Sequence, residues 1–230
     1  MVMKLYSVSD GPPSLAVRMA LKYLGIDYQL IEVDFVAGFH MTDAYAEMNP
    51  QKEIPVLDDD GFYLSESNAI LQYLADTYAK DDSFYPKDPK RRAIVNHRLA
   101  FNLSTYYKSI GEHVMLPIFF SYKRTPLSEK KVHIALHAFQ KYLEKLNMKF
   151  AAGDTLTIAD LQLITATLCL EAIEFSLSSY PKVMEWYQRF KNDFPSLWEI
   201  ADKGMKEIEG FNKNPPDLSH LKHPIHHFEK

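Results

Sequence analysis

The segment NPQKEIPVL, residues 49–57, places a proline where a strand begins to pair. Proline has no backbone N–H to donate to a sheet, so Ile54-Pro55 indicates a deliberate turn and a position for a cis peptide bond. A proline on an edge strand is the alternative interpretation. The next segment, DDDGFYLS, predicts the second strand of an antiparallel hairpin, with Asp60-Gly61 as its turn.

Strand-like and helix-like segments alternate around this hairpin over residues 1–80. VMKLYS predicts a first strand, and DYQLIEVDF predicts a second one that is largely buried. SLAVRMALKYLG predicts an amphipathic helix that ends at Gly25, MTDAYAEMN a short helix, and ESNAILQYLADTYAK a third helix. The order β-α-β-α-β-β-α predicts a mixed sheet with helices packed on it.

Strand signals are absent after residue 90. The segment DDSFYPKDPKRR predicts a linker, residues 81–89. Five long amphipathic windows follow: RRAIVNHRLAFNLSTYYKSI, SEKKVHIALHAFQKYLEKLNMKF, TIADLQLITATLCLEAI, YPKVMEWYQRFKND and PSLWEIADKGMKEIEG. The fold class is therefore α/β plus all-α, with an all-helical domain over residues 90–208 and an irregular tail over residues 209–230.

Composition excludes several classes of function. The net charge is −4, and the charged residues are interspersed, which argues against a nucleic-acid or anionic-membrane partner. The N-terminal MVMKLYSVSDG does not resemble a signal peptide, and no apolar window of about 18 residues predicts a membrane span. Cys169 is the only cysteine, so a disulfide framework and a thiolate zinc site are excluded. We expect a cytoplasmic protein.

The tail contains four of the nine histidines: His220, His223, His226 and His227. They have no acidic or cysteine companion at metal-site spacing, so we predict no metal site and a tail that lies over the surface.

Two helix starts have the chemistry of anion sites. In YSVSDGPPSLAVRM, residues 6–19, Pro12 and Pro13 open a helix directly after a strand, where the helix N-terminus favours a bound anion. In LSESNAI, Ser65 or Ser67 can cap the next helix while Glu66 lies near its first turn. Capping alone would also explain this second motif.

A third motif, TLTIADLQL, has the spacing of a capping box. Thr157 is the N-cap and Asp160 replaces the usual Glu or Gln three residues later. We interpret it as structural, because it starts a buried helix of the second domain.

Taken in order, these motifs resemble the cytosolic glutathione transferases, in particular the delta and epsilon classes and most closely their unclassified insect relatives. The resemblance extends from KLYSVS to about residue 208. It implies a thioredoxin-like N-terminal domain, a helical-bundle C-terminal domain and a homodimer. It also implies conjugation of glutathione, a co-substrate used without a cofactor, to hydrophobic electrophiles in xenobiotic detoxification. The alternative is a non-enzymatic protein that keeps the glutathione site but carries apolar ligands.

By this resemblance, Glu66 and Ser67 hold the γ-glutamyl end of glutathione, because a carboxylate suits its ammonium group and a helix N-terminus suits its carboxylate. The backbone of Ile54 receives the cysteinyl unit. The other implied glutathione contacts are Gln51, Lys52, Val56 and Asn68. Lys52 stands where relatives have histidine, and Asn68 where delta-class relatives have arginine.

The loop before the first helix lacks the serine hydroxyl that is expected to donate a hydrogen bond to the glutathione sulfur. Relatives have a serine two residues before the second loop proline, whereas this chain has Gly11, and the carboxylate of Asp10 would repel a thiolate. Lowering a thiol pKa from about 8.5 by about two units requires about 2.7 kcal/mol, more than a helix N-terminus supplies. We predict Ser9 or Ser14 as the catalytic hydroxyl, with the Gly11 N–H and Tyr107 as further possibilities.

The electrophile pocket is expected between this loop, the long helix after residue 90 and the C-terminal segment. The aromatic-rich stretch LSTYYKSIGEHVMLPIFFSY supplies part of it. The predicted wall residues are Pro13, Tyr107, Ile118, Phe119 and Phe211. Each of them would equally suit a helix core.

Overall fold

The computed structural model describes residues 2–221, 223 and 225–227. Its N-terminal domain contains a four-stranded sheet of order β2-β1-β3-β4. The strands are β1 Met3–Ser7, β2 Tyr28–Glu32, β3 Val56–Asp59 and β4 Phe62–Leu64. β1 pairs parallel to β2 and antiparallel to β3, and β3 and β4 form the predicted hairpin. The Ile54-Pro55 bond is cis.

Three helices complete this domain and confirm the predicted element order. They are α1 Pro12–Leu24, α2 Asp43–Met48 and α3 Ser67–Tyr78. α1 packs against α3, and Leu5 and Leu57 of the sheet are fully buried with Leu15 and Leu71 of these helices. The non-directional burial of these apolar side chains is the main stabilising contribution to the domain.

The prediction that the second strand is largely buried is wrong. β2 is an edge strand, and Leu30 at its centre is 43% exposed. The apolar burial lies just after the strand, where Val33 is 3% exposed. An apolar run identifies a strand, but the sequence does not say which strand forms the edge.

The second domain is helical, as predicted. Its helices are α4 Pro89–Phe101, α5 Tyr107–His113, α6 Met115–Phe119, α7 Pro126–Leu146, α8 Ile158–Ala172, α9 Pro181–Asp193 and α10 Pro195–Lys213. A π-helical turn, Asn102–Tyr106, joins α4 to α5. α8 is buried on nearly every face, and both α1 and α10 pack against it. Within the part of the chain that the structure describes, no helix has the length and apolar character of a membrane span.

The capping box of α8 has the predicted geometry. The Thr157 N–H donates to Asp160 Oδ2 at 2.9 Å. Asp160 is fully buried, and its Oδ1 accepts from the Ala151 N–H at 2.7 Å and from Trp186 Nε1 at 2.8 Å. The motif therefore organises the core of the helical domain, since each buried carboxylate oxygen has partners.

The last helix is longer than expected. α10 continues to Lys213, so the predicted tail of residues 209–230 begins five residues too early. α10 also approaches the loop between β1 and α1 closely at Gly204. A Cβ atom there would lie 2.6 Å from Leu15 Cδ1 and 2.8 Å from the Ser9 carbonyl oxygen. The absence of a side chain at Gly204 thus allows α10 to pack closely against α1 and the loop that precedes it.

The predicted linker, residues 81–89, is packed rather than free. Phe84 is 1% exposed, and its carbonyl oxygen accepts the Ile158 N–H at 3.1 Å. The linker thus contacts the start of α8 and connects the two domains through buried contacts.

Candidate active site

Two adjoining cavities lie where the two domains meet. We call the first, of about 310 Å³, the polar cavity and the second, of about 260 Å³, the aromatic cavity. Both are lined by Pro13, Glu53, Ile54 and Tyr107. One molecule lying across this shared wall would occupy both cavities.

The polar cavity contains most of the residues predicted to hold glutathione. Its lining includes Gln51, Ile54, Glu66, Ser67 and Asn68. Glu66 directly precedes α3 with a φ of 64°, a conformation that few non-glycine residues adopt. Such backbone strain is concentrated at functional sites, where surrounding contacts maintain it.

Neighbouring amides orient the two central side chains of the polar cavity. Gln51 Nε2 donates to Glu66 Oε1 at 3.0 Å, and Gln162 Nε2 donates to Ser67 Oγ at 2.8 Å. Gln162 is 4% exposed and belongs to α8, so the helical domain holds a side chain at the start of α3. The site thus presents an exposed carboxylate beside a hydroxyl and the open N–H groups of a helix.

The helical domain contributes residues that the sequence did not reveal. Asn102, Leu103 and Gln162 line the polar cavity. Asn102 is 4% exposed, and its Oδ1 has no hydrogen-bond partner among the described residues. It opens the π-helical turn between α4 and α5, a feature frequent at functional sites. The amphipathic pattern runs through this turn without interruption and gives no signal of it.

The shared wall contains one of two neighbouring residues that are predicted to contact glutathione. Ile54 lies on it, as the resemblance implies, but Val56 is fully buried in β3 and its side chain lines neither cavity. The two residues are separated by the cis-proline, after which the chain enters the sheet. Lys52 lines the aromatic cavity, where its Nζ donates to the Met41 carbonyl oxygen at 2.7 Å.

The loop between β1 and α1 places Gly11, Pro12 and Pro13 on the aromatic cavity, but not the two predicted catalytic hydroxyls. Ser14 is fully buried, and its Oγ accepts the Val8 N–H at 3.4 Å. Ser9 Oγ donates to Glu207 Oε2 at 2.5 Å. The assignment of Ser9 or Ser14 as the direct sulfur donor therefore needs correction, because neither side chain lines either cavity.

Tyr107, unlike Ser9 and Ser14, places its side chain on the cavity wall. It begins α5, is partly buried and lines both cavities. Its hydroxyl has no hydrogen-bond partner in the described part of the chain. Burial raises the pKa of Tyr107 well above its usual value, so the phenol stays protonated and able to donate.

The aromatic cavity contains part of the predicted electrophile wall. Pro13, Tyr107 and Phe119 line it, whereas Ile118 and Phe211 do not. Ile118 is 3% exposed in the core, and the Phe211 ring packs 5.5 Å from the Phe119 ring, so that it supports the wall from outside. Further apolar side chains on this wall, none of them predicted, are Val8, Phe35, Met115, Phe120 and Ile225.

Lys52 and His40 lie at one end of the aromatic cavity, which we call the basic end after the lysine. His40 is 2% exposed, stacks on Phe35 with ring centroids 4.5 Å apart, and has no partner for either ring nitrogen among the described residues. Burial lowers the pKa of His40 to about 4, helped by His223 and Lys52, so its ring is neutral at pH 7. The sequence gives no signal of His40, since a lone histidine on a short helical segment carries no pattern.

No group of three or more His, Cys, Asp or Glu side chains is placed to hold a metal ion in residues 2–221, 223 and 225–227.

The carboxyl of Asp10, at the edge of the aromatic cavity, makes stability depend on pH. Burial raises the pKa of Asp10 to about 6 from its usual value of 3.8. The folded protein therefore binds more protons than the unfolded chain between pH 4 and 6, and the stability falls by up to about 3 kcal/mol as the pH rises through that window. We expect Asp10→Asn to increase the unfolding free energy at pH 7 but not at pH 3.5.

Urea unfolding at the two pH values measures this effect. Asp154→Asn, which replaces an exposed carboxylate, is the matched control. A stability gain of equal size at both pH values would contradict the assignment of the pH dependence to Asp10.

Comparison with known proteins identifies the family of this chain. Residues 1–76 match the glutathione S-transferase N-terminal domain and residues 106–193 match the glutathione S-transferase C-terminal domain. The chain is 31% identical over 211 residues to glutathione S-transferase D6 of Drosophila melanogaster, covering 92% of this chain and 95% of that protein. The chain therefore belongs to the glutathione S-transferase family.

Solved structures place it among the insect enzymes. It is 58% identical to a diazinon-metabolizing glutathione S-transferase of the silkworm Bombyx mori, with a TM-score of 0.86 and coverage of 91% of this chain and 100% of that one. It is 39% identical to a delta-class glutathione transferase of Nilaparvata lugens, with a TM-score of 0.88 and coverage of 93% and 100%. Family membership makes this chain a transferase with glutathione as co-substrate, and these relatives give no support to the non-enzymatic carrier.

Proposed function

We propose that glutathione binds extended across the shared wall of the two cavities, with its sulfur beside Tyr107. The observation that carries this proposal is that Ile54 and Tyr107 line both cavities. An extended tripeptide spans about 10 Å, so its two ends reach into different cavities when its centre lies at Ile54. The carboxylate and helix N-terminus of the polar cavity suit the γ-glutamyl end.

In this arrangement Glu66 accepts the α-ammonium group of the γ-glutamyl unit. The Ser67 hydroxyl and the N–H groups of Ser67 and Asn68 receive its α-carboxylate, because the first turn of α3 has unpaired donors. Gln51 and Gln162 keep the two side chains in place through their hydrogen bonds. Such preorganisation reduces the entropy lost on binding.

The sulfur is stabilised as a thiolate by the Tyr107 hydroxyl together with the N-terminus of α1. A helix N-terminus contributes up to about 2 kcal/mol and a hydrogen bond to a charged group about 1.5–3 kcal/mol. Together they cover the 2.7 kcal/mol that a decrease of about two pKa units requires. The Tyr107 phenol thus takes the role that a loop serine has in relatives.

The glycyl end then lies at the basic end of the aromatic cavity. Lys52 is on its wall, and His40 has ring nitrogens that no described residue satisfies. A carboxylate placed there would meet an ammonium group and an imidazole donor, which are suitable partners for it.

The remaining aromatic wall binds the hydrophobic electrophile. The thiolate attacks its electrophilic carbon, the new carbon–sulfur bond forms, and the leaving group departs or the double bond takes up the electron pair. A detoxification role follows from this chemistry. The unaltered protein should conjugate an aryl chloride at a rate that saturates with glutathione, and an absence of turnover would contradict this function.

Phe119 should affect the electrophile rather than glutathione. Its ring lies on the aromatic wall between Phe35 and Phe211, at centroid distances of 6.1 and 5.5 Å. We expect Phe119→Ala to raise KM for an aryl chloride about 5-fold, since loss of a buried aromatic contact weakens apolar binding. The glutathione KM should change less than 2-fold.

Steady-state kinetics with each substrate varied in turn checks this expectation. Leu127→Ala, at an exposed position of α7, is the control for loss of an apolar side chain. Equal increases in both KM values would exclude a selective electrophile contact.

We also propose a cytoplasmic homodimer. β4 is at the sheet edge and exposes Phe62 and Tyr63, which are 50% and 44% accessible, and Leu103 of the π-helical turn is 60% accessible. Exposed large apolar groups of this kind are typical of surfaces that associate. A buried, unpaired Cys169 agrees with a reducing compartment.

A further inference from the structure

The segment after α10 crosses back to the N-terminal domain and is seated there. Leu218 is 1% exposed. Leu221 packs on Gly38, where a Cβ atom would lie only 2.6 Å from Leu221 Cδ2. Gly38 also has a φ of 75°, so a side chain at this position would be disfavoured for two reasons. The segment therefore has a specific docking site between β2 and α2.

Hydrogen bonds hold this segment on both sides of the aromatic cavity. The His220 ring donates from Nε2 to the Val36 carbonyl oxygen at 2.9 Å. On the other side, the His227 N–H donates to the Phe120 carbonyl oxygen at 2.9 Å. His223 lies between these two anchors along the chain and lines the cavity itself.

The His223 ring is held with one nitrogen available. A backbone turn brings the His226 N–H to the His223 carbonyl oxygen at 2.9 Å. Nδ1 of the ring accepts the Ile225 N–H at 3.4 Å, which leaves Nε2 to carry the proton in the neutral imidazole. Nε2 has no hydrogen-bond partner among residues 2–221, 223 and 225–227.

The surroundings of His223 are those of an anion site. Its ring lies 6.4 Å from the His40 ring and 5.0 Å from the Phe120 ring, measured between centroids. The charged and titratable groups on this end of the cavity are His40, Lys52, Glu53 and His223. Glu53 is the one acidic side chain among them, and it is exposed. A ligand carboxylate would therefore meet three donors and one carboxylate, that of Glu53, which also interacts with the His223 ring.

We propose that His223 is a glutathione-binding residue that donates its Nε2–H to the glycyl carboxylate and thereby makes the C-terminal segment part of the binding site. This inference rests on the proposed function, which places the glycyl end of the tripeptide in the aromatic cavity. This inference gives a binding role to one of the four tail histidines, whereas the sequence predicted only a tail that lies over the surface. The tail then contributes to recognition of the whole tripeptide, including its free carboxyl terminus.

The test compares glutathione with its glycyl monoethyl ester, which removes the charge at that carboxylate. Calorimetric titration gives Kd for both compounds with the unaltered full-length protein and with His223→Ala. We expect His223→Ala to weaken glutathione binding about 5- to 10-fold and ester binding less than 2-fold, as for loss of one charge-assisted hydrogen bond. The preference for the acid over the ester should therefore fall about 5-fold, and His223→Gln should restore part of it.

Two matched variants separate this contact from other effects. His137→Ala removes an exposed histidine of α7 and should leave both Kd values unchanged. His220→Ala weakens an anchor of the segment but keeps the His223 ring, so the preference for the acid over the ester should fall by less than it does in His223→Ala. An unchanged acid-to-ester preference in His223→Ala would overturn the proposal while the proposed function stands. Failure of the unaltered protein to bind or conjugate glutathione would overturn both.

Discussion

Replacing Glu66 with alanine is expected to lower kcat/KM for glutathione about 100-fold, mainly through KM. The carboxylate is the partner for the α-ammonium group, and loss of a charge-assisted hydrogen bond together with an unpaired charge costs about 2–3 kcal/mol. Glu66→Gln retains an acceptor without the charge, so we expect an intermediate loss of about 10-fold. Calorimetric Kd values for glutathione and steady-state kinetics at saturating electrophile measure both effects.

The matched control is Glu47→Ala, which removes an exposed carboxylate from α2 outside both cavities. Thermal unfolding of each variant establishes that the fold persists. Glutathione affinity that is the same for Glu66→Ala and Glu47→Ala would contradict the placement of the γ-glutamyl end in the polar cavity.

Replacing Tyr107 with phenylalanine is expected to slow conjugation at pH 6.5 about 5- to 15-fold with little change in the Kd of glutathione. Removal of a hydrogen bond to the thiolate raises the pKa of the bound thiol by about 1–1.5 units. Below that pKa the rate follows the thiolate fraction, so the deficit should shrink as the pH rises and nearly vanish at about pH 9. The measurement is the pH–rate profile of aryl chloride conjugation, compared between the unaltered protein and Tyr107→Phe.

Tyr106→Phe is the matched control, because it removes the adjacent phenol on the same helical stretch. That hydroxyl is bonded to Thr167 Oγ1 at 2.9 Å inside the helical domain, so its loss should reduce stability by about 1 kcal/mol without altering the pH profile. Ser9→Ala and Ser14→Ala should also leave the profile unchanged. A pH shift in either serine variant, and none in Tyr107→Phe, would reverse the assignment of the donor.

Local patterns were sufficient to predict most of the fold. The Asp60-Gly61 turn, the proline at the start of β3 and the capping box of Thr157 each act within a few residues, and each has the predicted conformation. Two predictions were wrong, the burial of β2 and the end of α10, and both features depend on tertiary contacts. β2 is exposed because it forms the sheet edge. The extension of α10 is held by Phe211, which packs on Phe119, and by Asn212, whose Oδ1 accepts from Arg124 Nη2 at 2.6 Å.

The candidate site was predictable where a motif carries its own chemistry. Glu66 and Ser67 are recognisable because an acid and a hydroxyl begin a helix. The direction of a side chain is not written in a motif: Ser14 faces the core, and Val56 is buried in β3. His40 and Asn102 are recognisable as candidate site residues only because their polar atoms are buried without a hydrogen-bond partner among the described residues. No sequence pattern reveals such burial.

The pKa of the thiol of bound glutathione tests the central claim most directly. It is measured from the ultraviolet absorbance of the thiolate as the complex with the unaltered protein is titrated. We predict a value about two units below the 8.5 or so of a free thiol, because Tyr107 and the N-terminus of α1 stabilise the anion. A bound thiol that titrates at the free value would contradict the placement of the sulfur at the junction of the two cavities.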